Sequence, residues 1–334
     1  MEKGMNRRRF VATAGIGAAS ALAHAIAASP VKAAGGLSAQ EFIGTVKRAR
    51  VFDLSHTWDE KSPIAGVNPP YSMALNATHA FPEDDPQRGT RGTFDADGQL
   101  SFTSEVQAWS GQHGAPSIDA LGHIGHDGWL FGGVDAAEAT SDARGIGRSG
   151  TGAELDIAHY PKDLLVNRGV LLDVGRFMHR GAKPLEPGFN ITAEILAETA
   201  RHQGVTIARG DTVLIRTGWG KHFTDNPNLY KGENAAGVGV SGAQFLVDAG
   251  ARVVGNDTLT FEVRPPIAFP PETPLFQVFP VHMLLIPDNG IHIIENYFLE
   301  EIAAAKEYEF LLVVPPLKIR GGTGSALRSF ALVP

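Results

Sequence analysis

The fold is indicated most directly by the segment Thr212-Val213-Leu214-Ile215-Arg216-Thr217, a short apolar and β-branched run bounded by Gly210-Asp211 and Gly218. Runs of this kind, closed on both sides by turn residues, are typical of buried β-strands. Four further runs share the pattern, at residues 51–54, 169–174, 251–255 and 310–314. The sequence therefore predicts strands distributed along most of the chain.

Amphipathic segments of helix length lie between these runs. Residues 192–202 carry Thr192 at the N-cap position, and residues 241–249 are followed by Gly250, a residue type that commonly ends helices. Strand and helix therefore alternate, which predicts an α/β fold with layers around a mixed sheet. No internal repeat or low-complexity linker divides the chain, so we expect one domain.

The composition excludes several classes of protein. The 334 residues include 29 Lys and Arg against 36 Asp and Glu, for a net charge of −7, and no basic patch is interleaved with aromatic residues. Binding to nucleic acid or to anionic lipid is therefore not expected. Because the chain has no cysteine, disulfides and thiolate ligands are excluded. Any bound metal would depend on His, Asp, Glu and water.

The amino terminus has the pattern of an export signal. Arg7-Arg8-Arg9-Phe10 precedes an Ala- and Gly-rich apolar run, and small residues follow as far as Ala34. A basic start, a mildly apolar middle and a small-residue end are typical of a signal peptide. The arginine cluster resembles the twin-arginine type. We expect residues 1–34 to be removed on export, which leaves a periplasmic or secreted domain at residues 35–334 without a membrane anchor.

Residues 61–105 differ in composition from the rest of the chain, because five prolines are scattered there among Asn, Asp and Gly. The segment is predicted to be an irregular excursion or a hairpin arm outside the core. It precedes a histidine-rich stretch. Folding over that stretch as a lid, reaching into a partner subunit and lying on the surface as a plain loop are all open interpretations.

That stretch, residues 112–128, combines three histidines and two carboxylates with several glycines. His113 and Asp119 lie six residues apart, and His123 follows Asp119 by four. The Gly, Ala and Pro residues between them allow the backbone to curl and bring these groups together. Imidazole and carboxylate ligands suit zinc, manganese or iron. The alternative is a polar loop whose histidines only form hydrogen bonds.

A second group of candidate ligands lies far away in the sequence. His282 precedes an apolar run, and Glu295 ends the strand-like segment Ile291-His292-Ile293-Ile294. Burying a glutamate at the end of a core strand is costly unless it is paired or bound to a cation. Glu295 is therefore a candidate functional residue, with a buried arginine partner as the alternative explanation.

Seven ordered segments resemble the metal-dependent cyclase/hydrolase family that includes bacterial kynurenine formamidase and isatin hydrolase. The resemblance spans about residues 48–333 and is carried by residues 53–56, 113–123, 169–173, 210–219, 255–259, 282–296 and 316–325. It implies a cyclase-like swivelling β/β/α catalytic domain, a single domain with a mixed sheet and flanking helices. It also implies association as a homodimer or homotetramer.

The central motif of that family reads His-x-Gly-Thr-His-x-Asp-x-Pro-x-His, and it matches this chain at His113, Asp119 and His123. The resemblance implies that His113 and Asp119 bind metal and that His123 is the catalytic acid/base, while Asp119 also orients the reacting groups. It implies further metal ligands at His282 and Glu295. A divalent cation, Mn²⁺ or Zn²⁺, is the implied cofactor.

The chain departs from the motif at Ser117, which stands where the second ligand histidine is expected. A hydroxyl is a poor metal ligand at neutral pH. Three arrangements are therefore open. The metal is held by His113, Asp119, His282 and Glu295; or His126 replaces the missing imidazole; or the site holds no metal and uses His123 with polar partners.

The expected reaction is attack of water on an acyl carbon, with His123 taking up and returning the proton. Hydrolysis of an amide, lactam or imide is the first expectation, and that of a lactone or ester the second. Two rival functions are a lyase or cyclase acting on a polyketide-like substrate, and a metal-free binding protein of the same fold. Residues that could line a site for a small, flat substrate, or instead serve packing and hydrogen bonding, are Trp109, Trp129, Phe131, Trp219 and His56.

Overall fold

A computed structural model of the chain describes residues 37–66, 68, 71–77, 103–112, 114–140, 155–269 and 277–334. The expected signal peptide at residues 1–34 and the candidate ligand His113 lie outside the described residues. In the described part of the chain, the helices are all too short or too polar to span a membrane.

The central element is a nine-stranded mixed sheet with the strand order β1-β17-β15-β7-β9-β11-β14-β4-β16. Its middle strands β7, β9, β11 and β14 are parallel, and the strands on either side of them pair antiparallel. These nine strands are β1 Arg50–Asp53, β4 Ser117–Asp119, β7 Val166–Asp173, β9 Thr212–Arg216, β11 Val253–Asn256, β14 His292–Glu295, β15 Glu309–Val313, β16 Gly324–Ala326 and β17 Phe330–Val333.

Four small two-stranded sheets accompany the large one. They pair β2 Ser72–Ala77 with β3 Ser104–Ala108, β5 Trp129–Leu130 with β6 Val134–Asp135, β8 Asn190–Ile191 with β10 Gly237–Val238, and β12 Ile267–Ala268 with β13 Gln277–Val278.

Helices connect the parallel strands, as an α/β fold requires. In chain order the α-helices are α1 Ala39–Arg48, α2 Ala136–Ala139, α3 Val174–His179, α4 Ala193–Gln203, α5 His222–Asp225, α6 Pro227–Lys231, α7 Val240–Ala249, α8 Pro280–Leu285 and α9 Glu300–Ala304. Short 3₁₀ turns occupy Ile157–His159, Lys162–Leu164 and Trp219–Lys221.

The predicted elements are confirmed. All five predicted strand segments are strands of the large sheet, and both predicted helices form. Thr192 caps α4 by accepting a hydrogen bond from the Ile195 backbone N–H. Gly250 ends α7 with a φ of 78°, in the left-handed region that glycine adopts without strain. The single α/β domain with a mixed sheet is therefore the fold of the described chain.

Both faces of the parallel strands are buried, which explains why their sequences are continuously apolar. Along β9, Val213 and Ile215 face a core that includes Leu196 of α4 and Leu246 of α7. Leu214 faces a second core on the opposite side of the sheet. Because successive side chains of a strand point to opposite faces of the sheet, one strand contributes residues to both hydrophobic cores.

The proline-containing segment at residues 61–105 forms a hairpin arm in the part that the structure describes. β2 and β3 pair antiparallel and belong to no larger sheet. Met73, Leu75 and Val106 on these strands are exposed by 49%, 59% and 63%. The hairpin interpretation is confirmed, whereas residues 78–102 lie outside the described residues.

A buried arginine ties three elements together at the end of β9. Arg216 is 1% exposed; it donates to Asp173 at 2.7 Å and to both carboxylate oxygens of Glu300 at 2.9 Å. Asp173 ends β7 and Glu300 begins α9. Because Asp173 is equally buried, loss of the arginine would leave a carboxylate without its main counter-charge.

We expect Arg216→Met to lower the free energy of unfolding by about 3 kcal/mol, since Asp173 and Glu300 would keep only the partly exposed Arg176 and Lys221 as counter-charges. Arg50→Met is the matched control: Arg50 pairs with Glu307 but its side chain is 55% exposed, so the loss should stay below about 1 kcal/mol. Urea unfolding of both variants measures the difference. Equal losses would contradict the structural role given to Arg216.

Candidate metal centre

The candidate site is built on the antiparallel pairing of β4 with β14. In this pairing Ser117 lies opposite Glu295, and Ile118 lies opposite Ile294. Cross-strand partners project from the same face of a sheet, and so do residues two apart on one strand. Ser117, Asp119 and Glu295 therefore share one face, although Asp119 and Glu295 are separated by more than half of the chain.

The third member of the site comes from α8, which directly precedes β14. His282 Nε2 lies 3.3 Å from Glu295 Oε1 and 3.9 Å from Asp119 Oδ2. The ligand atoms of these three residues all lie within 4.8 Å of one another, and their side chains are 4%, 12% and 5% exposed for Asp119, Glu295 and His282. The structure thus brings together three of the predicted ligands in a buried cluster.

No Arg or Lys forms a close ion pair with this cluster. Within the described residues, none lies within 4.0 Å of Asp119 or Glu295. The buried Arg264 acts on Glu295 only over a longer distance and donates to the Tyr230 carbonyl, so the alternative of an arginine paired directly with Glu295 is not what the structure shows. Two buried carboxylates beside one imidazole are costly unless a cation joins them. One nitrogen and two carboxylate oxygens form a donor set that suits a divalent transition metal.

The pKa values reflect this crowding. Burial raises the pKa of Glu295 to about 7, and the nearby Asp119 charge adds to that effect, although the hydrogen bond to His282 opposes it. Burial by itself lowers the pKa of His282, but hydrogen bonds to Glu262 and Glu295 outweigh it and hold the pKa well above its usual range. The cluster therefore strongly attracts positive charge.

His123 lies at the edge of the cluster. Its Nε2 atom is 3.9 Å from Asp119 Oδ1, and its side chain is 29% exposed, so it contacts both the carboxylate and solvent. It sits in the turn that follows β4, where His123 N–H donates to the Ala120 carbonyl. A partly exposed imidazole beside a buried carboxylate can exchange protons with a substrate and with water.

His126 and Ser117, the two other candidate positions, differ in where they lie relative to the cluster. His126 forms an ion pair with Asp288 at 2.9 Å and is not among the three residues brought together, so the structure does not place it as a replacement ligand. Ser117 is 2% exposed and faces the cluster from the position opposite Glu295. The departure from the family motif therefore lies inside the candidate site.

Sequence reasoning missed Glu262, which contacts Nδ1 of His282, the outer ring nitrogen that faces away from the cluster. Its side chain is buried at 1% exposure and accepts a hydrogen bond from His282 Nδ1–H. Its only signal in the sequence is a charge within the otherwise uncharged run Thr258-Leu259-Thr260-Phe261-Glu262-Val263. No regular spacing relates it to His282, twenty residues later.

Aromatic side chains adjoin the first strand of the site. His56 N–H donates to the Ala115 carbonyl at 2.8 Å, which places residues 55–58 against the start of β4. The His56 ring stacks on Phe223, with centroids 4.0 Å apart. Trp58, which sequence reasoning missed, contacts Trp109 at 5.9 Å and Tyr71 at 4.6 Å.

This aromatic group contains polar atoms without partners. Buried side-chain atoms that form no hydrogen bond are Ser55 Oγ, His56 Nε2, Trp58 Nε1 and Ser110 Oγ. Buried polar atoms are bonded in nearly all proteins, so a local concentration of unbonded ones indicates where a ligand or water is received. Of the predicted substrate-binding residues, His56 carries one of these unbonded atoms, and Trp109 contacts Trp58, which carries another.

The other predicted aromatic residues are placed elsewhere. Trp219 is completely buried in the main core and its indole N–H donates to the Leu185 carbonyl at 2.9 Å, so it packs the core and forms no wall of an open site. Phe131 packs directly over Gly290. Trp129 is 51% exposed on β5. None of these three contacts the cluster of Trp58, Tyr71 and Trp109 in the structure.

The chain belongs to the family described as "Putative cyclase", whose model matches residues 52–263. Among curated proteins, an isatin hydrolase of Roseibium aggregatum is 28% identical over 159 residues, which make up 45% of this chain and 54% of that protein. The match therefore spans about half the length of that relative.

Solved structures share the fold over nearly their whole length. A protein described as a novel cyclase has a TM-score of 0.69 at 24% identity, covering 88% of this chain and 93% of its own. Isatin hydrolase A from Labrenzia aggregata, bound to benzyl benzoate, has a TM-score of 0.62 at 20% identity, covering 88% and 98%. A predicted metal-dependent hydrolase from Bacillus stearothermophilus has a TM-score of 0.51 at 17% identity, covering 85% and 98%. The fold is therefore the cyclase-like one.

Two buried histidines near the site link stability to pH. Burial lowers the pKa of His56 to about 4, and it does the same for His292, whose Nδ1 lies 2.8 Å from the Asp119 carbonyl. In the unfolded chain both pKa values lie near 6.5. Between about pH 4 and 6.5 the unfolded chain therefore binds more protons than the folded one.

As the pH is lowered from 6.5 towards 4, we expect His56 and His292 to lower the free energy of unfolding, by up to about 1.4 kcal/mol per pH unit for each histidine. Glu295, whose pKa burial raises to about 7, opposes this change over part of the same range, so the contribution of His292 is measured by comparison with its variant. Urea unfolding with a chelator present, at a series of pH values, measures this slope. His292→Gln should make the slope shallower. An identical slope in that variant would refute the assignment.

Proposed function

We propose that this protein is a divalent-metal-dependent hydrolase that adds water to an acyl carbon of a small, flat substrate. The observation that carries the proposal is the buried convergence of Asp119, His282 and Glu295 without a neutralising Arg or Lys among the described residues. We propose cleavage of a carbon–nitrogen bond in an amide, lactam or imide first, and of an ester or lactone second.

Asp119, His282 and Glu295 are the residues that would hold the cation, Mn²⁺ or Zn²⁺ by the chemistry of the donor set. Bound there, a divalent cation supplies an activated water at neutral pH and polarises the acyl oxygen. His113 remains a predicted fourth ligand.

His123 supplies the proton transfer in this proposal. Its Nε2 atom lies beside Asp119 without being part of the three-residue cluster, so it is free to accept a proton from the attacking water. It can return that proton to the departing nitrogen or oxygen, because an imidazole changes its charge near neutral pH.

The aromatic group next to β4 supports a flat substrate. Trp58, Trp109 and His56 offer ring faces and edges, and rings of a bound molecule pack well against them. Because burial lowers the pKa of His56 to about 4, its imidazole is neutral at pH 7 and adds no charge to this aromatic group. The unbonded Trp58 N–H is a donor for a carbonyl oxygen of the substrate.

Similarity adds support of two kinds. The curated relative is an isatin hydrolase, and one protein of the same fold is a predicted metal-dependent hydrolase. These names agree with the donor set and with the aromatic surroundings. The substrate of this protein and the bond it cleaves are our proposal.

We expect His123→Ala to reduce kcat by about 10²–10⁴-fold while the metal content stays unchanged, because proton transfer is lost and ligation is not. His202→Ala, an exposed position on α4, serves as the control. Steady-state kinetics on a panel of amides, lactams and lactones, together with elemental analysis, gives both quantities. Loss of metal from His123→Ala would make His123 a ligand instead.

Ser117 provides a second test, because it faces the cluster from the strand opposite Glu295. Ser117→His adds an imidazole and should tighten Mn²⁺ or Zn²⁺ binding, whereas Ser117→Ala should leave the affinity unchanged, since the hydroxyl is a poor ligand. Competition with a coloured chelator measures both. An unchanged affinity in a folded Ser117→His protein would place the metal away from this face.

A further inference from the structure

Glu262 is a buried carboxylate whose one close basic neighbour among the described residues is the imidazole of His282. Its side chain is 1% exposed, and within the described part of the chain no Arg or Lys lies within 4.0 Å of it. A carboxylate in such surroundings is retained only where its hydrogen bonds compensate for lost hydration. The groups that donate hydrogen bonds to this carboxylate therefore indicate its role.

Among the described residues, all the hydrogen bonds to the Glu262 carboxylate come from the first turn of α8. Oε1 accepts from His282 Nδ1–H and from the His282 backbone N–H at 3.3 Å. Oε2 accepts from the Val281 backbone N–H at 3.2 Å. A carboxylate can only accept, so this hydrogen bond keeps a proton on Nδ1 and leaves Nε2 as the nitrogen that can bind a cation once it is deprotonated. Nε2 is the atom that faces Asp119 and Glu295.

The backbone around Glu262 is held rigidly. Phe261 has a φ of 52°, a left-handed conformation that is strained for a bulky residue. Its carbonyl accepts hydrogen bonds from Asn256 Nδ2 at 2.7 Å and from Val238 N–H at 3.1 Å. Gly237 lets the chains approach closely, because a Cβ there would lie 2.3 Å from the Glu262 carbonyl carbon. The position of the carboxylate is thus over-determined.

We propose that Glu262 is a positioning residue that fixes the tautomer and ring orientation of His282 and thereby sets the affinity of the Asp119, His282 and Glu295 cluster for a divalent cation. This inference rests on the proposed function. A carboxylate bonded to the outer nitrogen of a ligand histidine holds the ring and makes the inner nitrogen more basic. Loss of such a partner typically weakens metal binding about 10–100-fold.

A purely structural role for Glu262 predicts something different. The two backbone N–H groups at the start of α8 need only an uncharged acceptor oxygen, and an amide provides one. The charge is needed only by the imidazole. Glu262→Gln keeps the length of the side chain and one acceptor oxygen but removes the charge, so it separates the two roles.

The experiment uses the full chain, stripped with a chelator and titrated with Mn²⁺ and with Zn²⁺ in competition with a coloured chelator. We expect the dissociation constant of Glu262→Gln to rise about 10–100-fold. Asp211→Asn is the matched control: Asp211 is 4% exposed and bonds to Arg168 and to the Ala208 N–H, away from the cluster. Its dissociation constant should equal that of the original protein.

A spectroscopic measurement accompanies the titration. In ¹H–¹⁵N spectra of histidine-labelled protein, assigned with His282→Gln, we expect a proton on Nδ1 of His282 that exchanges slowly with solvent, and faster exchange of that proton in Glu262→Gln. Thermal unfolding of the stripped variants shows whether each of them is folded.

Each result has a definite reading. An unchanged dissociation constant in folded Glu262→Gln, or an equal rise in Asp211→Asn, overturns the role of Glu262 and leaves the proposed function standing. A His282 ring that carries no proton on Nδ1 in the original protein does the same. If the original protein binds neither metal, or if Asp119→Ala binds metal as tightly as the original protein does, the proposed function and this inference are both overturned.

Discussion

The candidate site depends on one interaction, the antiparallel pairing of the short strand β4 with the buried strand β14. This pairing places Ser117 opposite Glu295 and puts Asp119 on the same face. α8 leads directly into β14, so the same arrangement delivers His282 to the two carboxylates. A shift of β4 by one residue would turn Ser117 and Asp119 to the opposite face and bring Ile118 towards the cluster. The buried contacts of Ile118 and Ile294 in the core on the other face oppose such a shift.

The site combines electrostatic cost with backbone strain, and the rest of the fold compensates for both. Phe261, Phe279 and Asn296 all have left-handed φ values, and they stand next to Glu262, at the start of α8 and next to Glu295. Strained residues of this type cost about 1–3 kcal/mol each and persist only where the surroundings over-determine them. The two hydrophobic cores and the Arg216 network supply that support, since they hold the parallel strands on both faces. Strained backbone is thus concentrated around the cluster of Asp119, His282 and Glu295. A binding site that is held in place before its ligand arrives needs such support.

Much of the fold could be predicted because local pattern and tertiary position agree. Thr212 to Arg216 is apolar throughout since both faces of β9 are buried, and Thr192 and Gly250 mark helix ends through their own hydrogen bonding and conformational freedom. Asp119, His282 and Glu295 could be named as ligand-type residues, and the structure brings them together. Trp219 was expected to line the site, but an aromatic residue packed in the core has the same local pattern as one in a pocket. His126 was a candidate ligand by spacing, yet its imidazole forms a hydrogen bond with Asp288 from a distant segment.

The sequence by itself determined the alternation of strand and helix, the absence of thiol chemistry, and the dense pair of His/Asp and His/Glu segments, because these follow from residue types and short-range spacing. Only the tertiary structure decided which residues meet. Glu262 reaches His282 across twenty residues, and Trp58 reaches Trp109 across a long excursion, through strand pairing that no local pattern encodes. Ser117 illustrates the division: the sequence showed that a ligand-type residue is missing there, and the register of β4 against β14 showed that the missing side chain would face the cluster.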